Sequence, residues 1–275
     1  MEVVIDLFRF GSPLLITAVG ALISEFAGIM AVFADGFINL GSFLCYTVTF
    51  FSGSPVLGVF ISVIICVLLG WSGALATKIL KANPFLIGLA INLSVNGLIS
   101  LLSVSFFGTR GVLSTSEDIF SYEFYIGLVI CSWVMAIFIA ILLGITKYGL
   151  QIKITGTAPE ALFFRGIKVS LWENLSWCIA AAFSCFAGCI LTAHLSSFVP
   201  NISAGKGWLA LAAVFLAKKN IFSLFIAVMV FVSAEFLFSG IQNISIFQNI
   251  SPSVTLAFPY IITLILICFD IKKKT

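Results

Sequence analysis

Charge is what this sequence has least of. Of its 275 residues, 9% are charged and 61% are hydrophobic, where an ordinary soluble domain is about 25% charged. Mean hydropathy is +1.22. That scarcity excludes a freestanding soluble domain and leaves a polytopic membrane protein. The net charge is only +3, and most basic residues sit in short loops between apolar runs, which suits orientation in a membrane and not nucleic-acid binding. There is one histidine, His194, and no Cys-x-x-Cys or His-x-x-x-His pair. Cys178, Cys185 and Cys189 share a helical face just before His194. Without paired ligand motifs, these thiols and the other four, Cys45, Cys66, Cys131 and Cys268, read as small apolar groups, with neither a metal site nor a disulfide framework expected. A phosphate loop is missing too. "SAGKGW" has its lysine, Lys206, but Gly207 follows where Ser or Thr should stand. The chain is therefore not expected to hydrolyse nucleotide by itself, and no nucleophile elbow or zinc-protease motif is present. No cleavable leader is expected, since Glu2, Asp6 and Arg9 occupy the opening residues.

What is there is a series of apolar runs. A spanning helix needs about 20 such residues, and candidate runs cover 10–30, 34–51, 55–77, 84–107, 124–146, 171–195, 208–217, 221–238 and 254–269. The run 208–217 is too short to cross alone. With the preceding "FVPNISAGKG" it predicts a re-entrant or broken helix, an irregularity that membranes tolerate only inside protein or along a cavity. The fold class is thus an all-α polytopic membrane protein of eight to ten transmembrane or re-entrant helices, in one domain over 1–275. Lys78 and Lys81, then Lys147, Lys153, Arg165 and Lys168, then Lys218 and Lys219, then Lys272, Lys273 and Lys274 mark cytoplasmic regions. The stretch holding Glu117, Asp118 and Glu123, and the uncharged one in which "QNIS" occurs twice at 242–251, belong to the other side. Counting back from Lys78 puts the N-terminus outside.

Polar residues inside the runs are functional candidates by default. Asn92, Asn96, Ser100 and Ser103 follow a helical spacing in "GLAINLSVNGLISLLSVS", and Asn39 and Ser42 lie near Asp35. Amides donate and accept, so they suit hydroxyls and nucleobase edges. Asn39, Asn92, Asn96 and Ser100 are the candidates for lining a solute path; interhelical hydrogen bonding is the competing use. Glu25 and Asp35 are ten residues apart in "SEFAGIMAVFADGF", so one continuous helix would not align them. Gly28 and Gly36 predict a break between them, with the acids capping half-helix ends and tying irregular backbone. Glu235 reads as interfacial, and Lys206 as able to pair with an acid.

The longest basic loop is "KYGLQIKITGTAPEALFFRGIKVSLWE". Thr157 and Glu160 have the T-x-x-E spacing of a capping box. They predict a short helix over 158–165 that stops at Gly166. "EALFFRG" fits the spacing E-A-A-x-x-x-G, with Leu162 at the second alanine.

That segment resembles the coupling segment of bacterial ABC importer permeases. The rest of the chain resembles one branch of them, the ribose, nucleoside and riboflavin permeases grouped with the branched-chain amino-acid permeases. "PLLITAVGALISEFAGIMAVFADGFINLGSF" is similar to the family's opening stretch, with Asp35 in place of a glutamate and Ser42 in place of an alanine. "GTAPEALFFRGI", "SAGKGWLALAAVFLAKKN" and "FPYIITLILI" resemble later segments in the family's order. The resemblance implies a permease subunit, not an enzyme, in the inner membrane. A second permease chain, identical or paralogous, would share the path. A separate ATPase would hold ATP and magnesium, leaving this chain without a cofactor, and an extracytoplasmic binding lipoprotein would deliver the solute. It makes 147–170 the coupling loop, with Thr157, Glu160, Ala161, Leu162, Arg165 and Gly166 as coupling residues. The solute implied is a nucleoside, a simple sugar or a riboflavin-like compound. An ion-gradient-driven transporter using Glu25 and Asp35 is the alternative, and would not need the coupling segment; a membrane-embedded enzyme has little to work with.

Overall fold

The computed structural model describes residues 2–115 and 119–241. The expected span at 254–269, the repeated "QNIS", Glu117, Asp118 and the lysines at 272–274 lie outside them. The described chain is nearly all helix: α1 Glu2–Phe26, α2 Ala34–Ser52, α3 Pro55–Ile79, α4 Pro84–Phe107, α5 Tyr122–Ile145, α6 Lys147–Thr157, α7 Pro159–Phe164, α8 Val169–Leu195, α9 Lys206–Ala217 and α10 Ile221–Ile241. Two short strands, β1 Leu113–Ser114 and β2 Ser197–Phe198, pair antiparallel. Among the described residues five helices, α1, α3, α4, α5 and α8, are long and apolar enough to cross a membrane. At 12 residues α9 is about half a crossing.

Local chemistry sets these boundaries. Pro55 and Pro84 open α3 and α4 at positions where a missing N–H costs nothing. The Asn83 side chain caps α4, and Ser121 caps α5. Inside α1, Pro13 removes the donor that the Arg9 carbonyl would have used; the Ser12 hydroxyl bonds that carbonyl instead, at 2.8 Å. The first expected span therefore starts earlier than position 10, at Glu2, and stops at Phe26 instead of 30.

The bundle has a centre and a shell. The spanning window of α1 is 78% buried and that of α4 only 22%. α1, α2 and α8 form the centre, and α2 and α8 touch closely where Gly41 meets the Cys185 backbone and Gly188 meets that of Ile38. Outward-facing Phe60, Leu93, Val134 and Phe222 show the apolar surface of a membrane protein. Contacts also define two ends. Lys78 donates to the Ser170 carbonyl at 2.7 Å and Lys219 lies 3.6 Å from Glu25, so these belong to one basic end. The β1–β2 pair and Arg9 over the Tyr122 ring, at 5.7 Å, mark the opposite end.

Candidate functional site

The polar interior begins at the interruption between α1 and α2. The chain leaves the helix at Phe26 and re-enters at Ala34. Irregular backbone at membrane depth needs internal partners, and side chains supply them. The Ser24 hydroxyl accepts from the Ala31 N–H at 3.0 Å, and the Trp177 indole donates to the Ile29 carbonyl at 2.7 Å. Glu25 sits one residue before the end of α1 and faces Lys219 at the basic end. Asp35 is buried in the first turn of α2. The two acids are thus apart in space as well as in sequence, and each meets a different element.

Asp35 caps a helix other than its own. One carboxylate oxygen accepts from the Gly207 N–H at 3.0 Å and the other from the Ser203 hydroxyl at 3.1 Å. One turn on, Asn39 accepts from the Ser203 N–H at 3.0 Å. α9 begins after Gly205, which offers no side-chain cap, so α2 provides the anion that its N-terminus favours. Its first residue, Lys206, is buried, pairs with Glu235 of α10 and lies 5.1 Å from the Phe10 ring centroid. Glu235 is therefore not a free interfacial acid, as its position near a span end had implied. It neutralises a cation that the apolar interior would otherwise reject.

The polar run of α4 divides. Asn92 and Ser103 are buried, while Asn96 and Ser100 are exposed. The split follows from geometry: each i, i+4 step advances about 40° around the helix, so the row drifts out of the packed face. The Asn92 carbonyl oxygen stands against Gly36 and has no hydrogen-bond partner among the described residues; neither has the Asn39 side-chain nitrogen. The Ser103 hydroxyl donates to the Thr109 carbonyl at 2.7 Å, so it anchors the loop after α4.

The long basic loop holds two helices where one was expected. Thr157 ends α6 and is not the cap of α7: its hydroxyl turns back to the Lys153 carbonyl at 3.0 Å. Pro159 opens α7 and the preceding Ala158 has no side chain to cap with, so the T-x-x-E spacing does not act as a capping box. The stop is as the residues imply. Gly166 has φ +73°, its N–H bonds the Phe163 carbonyl at 2.9 Å, and the Ile167 N–H bonds that of Leu162 at 3.0 Å, the pairing of a Schellman turn. Leu162 is buried and anchors α7, whereas Phe163 and Phe164 are 75% and 85% exposed. Glu160, Ala161 and Arg165 are exposed beside them.

Residues 3–267 match a family described as branched-chain amino acid transport system / permease component. The chain belongs to this permease family. Its relatives include the nucleoside ABC transporter permease protein NupC of Lactococcus lactis, 25% identical over 98% of this chain and 92% of that protein. The guanosine ABC transporter permease protein NupQ of Bacillus subtilis is 24% identical over 93% of this chain and 88% of that one. A putative glucose ABC transporter permease protein of Haloferax volcanii, TsgC13, is 27% identical over 74% and 67%. In the fold, the chain is similar to a solved structure, PsaBC from Streptococcus pneumoniae in complex with Fab, with TM-score 0.50 and 15% identity over 93% of this chain and 89% of that one. The protein is a multi-pass transport subunit of the inner membrane and not an enzyme.

Several residues of the permease's interior escaped sequence reasoning. Ser24, Trp177 and Ser203 hold the irregular backbone. Only Trp177 carried a signal, since a buried indole N–H needs an acceptor. Of the cysteine face before His194, Cys185 and Cys189 are buried, the latter 3.8 Å from the Gly41 carbonyl, and His194 instead packs 4.9 Å from the Tyr125 ring. Among the described residues no group of three or more His, Cys, Asp or Glu could hold a metal ion.

Proposed function

We propose that this permease imports nucleosides with energy from a separate ATPase. The observation that carries the reading is the exposed pair Asn96 and Ser100 on a helix whose other outward residues include Leu93, Leu98 and Leu101. Polar groups at membrane depth rarely face lipid. An amide and a hydroxyl on the outer edge of one chain suit a path shared with a second permease chain, where they can bond base edges and ribose hydroxyls. Asn92 stands behind that edge, buried against Gly36 of α2. Two of the relatives carry nucleosides in their names, which favours this class over simple sugars and riboflavin-like solutes.

The basic loop is the ATPase dock in this reading. α7 presents Phe163 and Phe164 beside Glu160, Ala161 and Arg165, a compact apolar knob of the kind a cleft in a partner would cover. An extracytoplasmic binding protein would deliver the solute at the opposite end. The test is uptake into proteoliposomes holding the permease and its partner subunits, with labelled adenosine and excess unlabelled guanosine, glucose or riboflavin as competitors. Competition by guanosine alone is expected. Asn96→Leu should lower uptake at least tenfold, with ATPase activity retained. Uptake that needs an ion gradient and ignores ATP would replace this reading with a secondary transporter.

A further inference from the structure

A cavity of about 370 Å³ opens toward the end opposite the basic loops, enclosed by α1, α5, α8, α9 and α10 of one chain. Its polar wall holds Asp6, Arg9, His194 and Lys206. Resting on the nucleoside reading above, we infer that this pocket is a solute site contained within each subunit, taking an uncharged flat heterocycle that bears hydroxyls. It is separate from the exposed edge of α4.

Three features of the pocket define the ligand. The first is size: 370 Å³ falls within the usual range of small-molecule sites and leaves room for a nucleoside. The second is charge. Arg9 already faces Asp6 at 3.3 Å, and Lys206 already pairs with Glu235. A ligand with a net charge would have to displace one of these acids or cations, and a neutral one need not. The third is the aromatic lining. Phe10 and Phe236 meet edge to face at 6.0 Å between centroids, while Tyr122 and Tyr125 lie 6.3 Å apart on α5. Rings of this kind stack on a flat heterocycle. The guanidinium donates, Asp6 accepts and the tyrosine hydroxyls do both, which matches the mixed edge of a nucleobase and the hydroxyls of a sugar. A lone sugar would use the hydrogen bonds but leave much of the ring surface unstacked. Tyr122 is 64% exposed and stands at the mouth, so the pocket faces the side from which solute would arrive.

The inference predicts one site per chain, a count that a path shared by two chains does not give. The test uses the full-length permease in nanodiscs, labelled adenosine as the probe, and 8-azidoadenosine for photolabelling followed by peptide mapping. Tyr122→Leu and His194→Leu should each weaken adenosine binding at least tenfold, with an unchanged melting temperature. Tyr122→Phe keeps the ring and should stay within about threefold of the parent, and Leu101→Ala, on the outward face of α4 and away from the pocket, should leave binding unaltered. The photolabel should fall on α5 and α8. Label confined to α4, or binding lost with Asn96→Leu and kept with both pocket variants, would overturn the inference and leave nucleoside import standing. Adenosine uptake by the assembled transporter without measurable binding to the permease alone would do the same. Binding of a phospholipid in place of adenosine, seen by native mass spectrometry and lost with Tyr122→Leu, would overturn it in favour of a lipid site. Failure of the assembled transporter to take up any nucleoside would remove the reading beneath it.

Discussion

At the scale of single residues, the permease places charges in its interior only as pairs. Lys206 and Glu235 come from different helices and are both mostly hidden from solvent, with side chains 10% and 16% exposed. Removing one partner strands the other in an apolar setting, at a cost of about 3–5 kcal/mol, whereas replacing both by apolar groups of similar volume is often neutral. Lys206→Met alone and Glu235→Leu alone should therefore lower the detergent-solubilised melting temperature sharply. The double variant should recover most of the loss. A double variant as unstable as the worse single one would mean that the pair's partners, such as Phe10 beneath Lys206, need the charge itself. The sequence made part of this legible. A lysine at membrane depth demands an acid, but the candidates were Glu25, Asp35 and Glu235, and choosing among them requires knowing which helices touch. Asp35 shows the same limit: its position flags it, but its partners Ser203 and Gly207 lie more than 160 residues away. No local pattern encodes such a contact.

At the scale of elements, helices were readable where composition alone decides and misread where short-range hydrogen bonding does. The long apolar runs at α3, α4 and α5 stand out because lipid-facing helices are apolar nearly all round. The Thr157 spacing failed because a hydroxyl in the last turn of α6 donates to the Lys153 carbonyl of its own helix instead of accepting from a backbone N–H of the next one. Gly166 was legible because a left-handed stop calls for glycine. A Cβ built there meets nothing within 4 Å, so a substitution acts through backbone strain and not through a clash. Gly166→Val should cost about 1 kcal/mol or more and redirect the chain after α7. Gly166→Asn, whose side chain tolerates this conformation, should be nearly neutral. In the proposed assembly, Gly166→Val and Ala161→Asp should each reduce co-purification of the ATPase and abolish its coupling to uptake, with Gly166→Asn retaining both. Normal coupling in Gly166→Val and Ala161→Asp would mean that α7 is not the dock. In that case Phe163 and Phe164 would be aromatics lying in the headgroup layer.

At the scale of the whole molecule, the distribution of polar surface points to what the permease is built to meet. Its shell is apolar around α3, α4, α5 and α10, yet α4 exposes one amide, Asn96, with Ser100 about 40° away around the helix, while the exposed serines Ser94 and Ser105 stand on the far side, about 160° and 180° from Asn96. Leu101, 65% exposed, is about 140° from Asn96 on the same helix. A single chain in lipid would gain nothing from this asymmetry, because an exposed amide in hydrocarbon costs free energy unless something hydrates or bonds it. A partner chain that encloses water along this edge removes that cost. The consequence is measurable with cysteines placed one at a time in a Cys131→Ala background, since Cys131 is exposed on α5 and would react on its own. Asn96→Cys and Ser100→Cys should be modified by a charged, water-soluble methanethiosulfonate in the assembled transporter. Adenosine should slow that modification, and Leu101→Cys should resist the reagent altogether. If Leu101→Cys reacted as fast as Asn96→Cys, the edge would be hydrated no more than the face expected to meet lipid. If none of the three reacted, α4 would be sealed in lipid or in a dry interface. Either result would move the solute path away from α4.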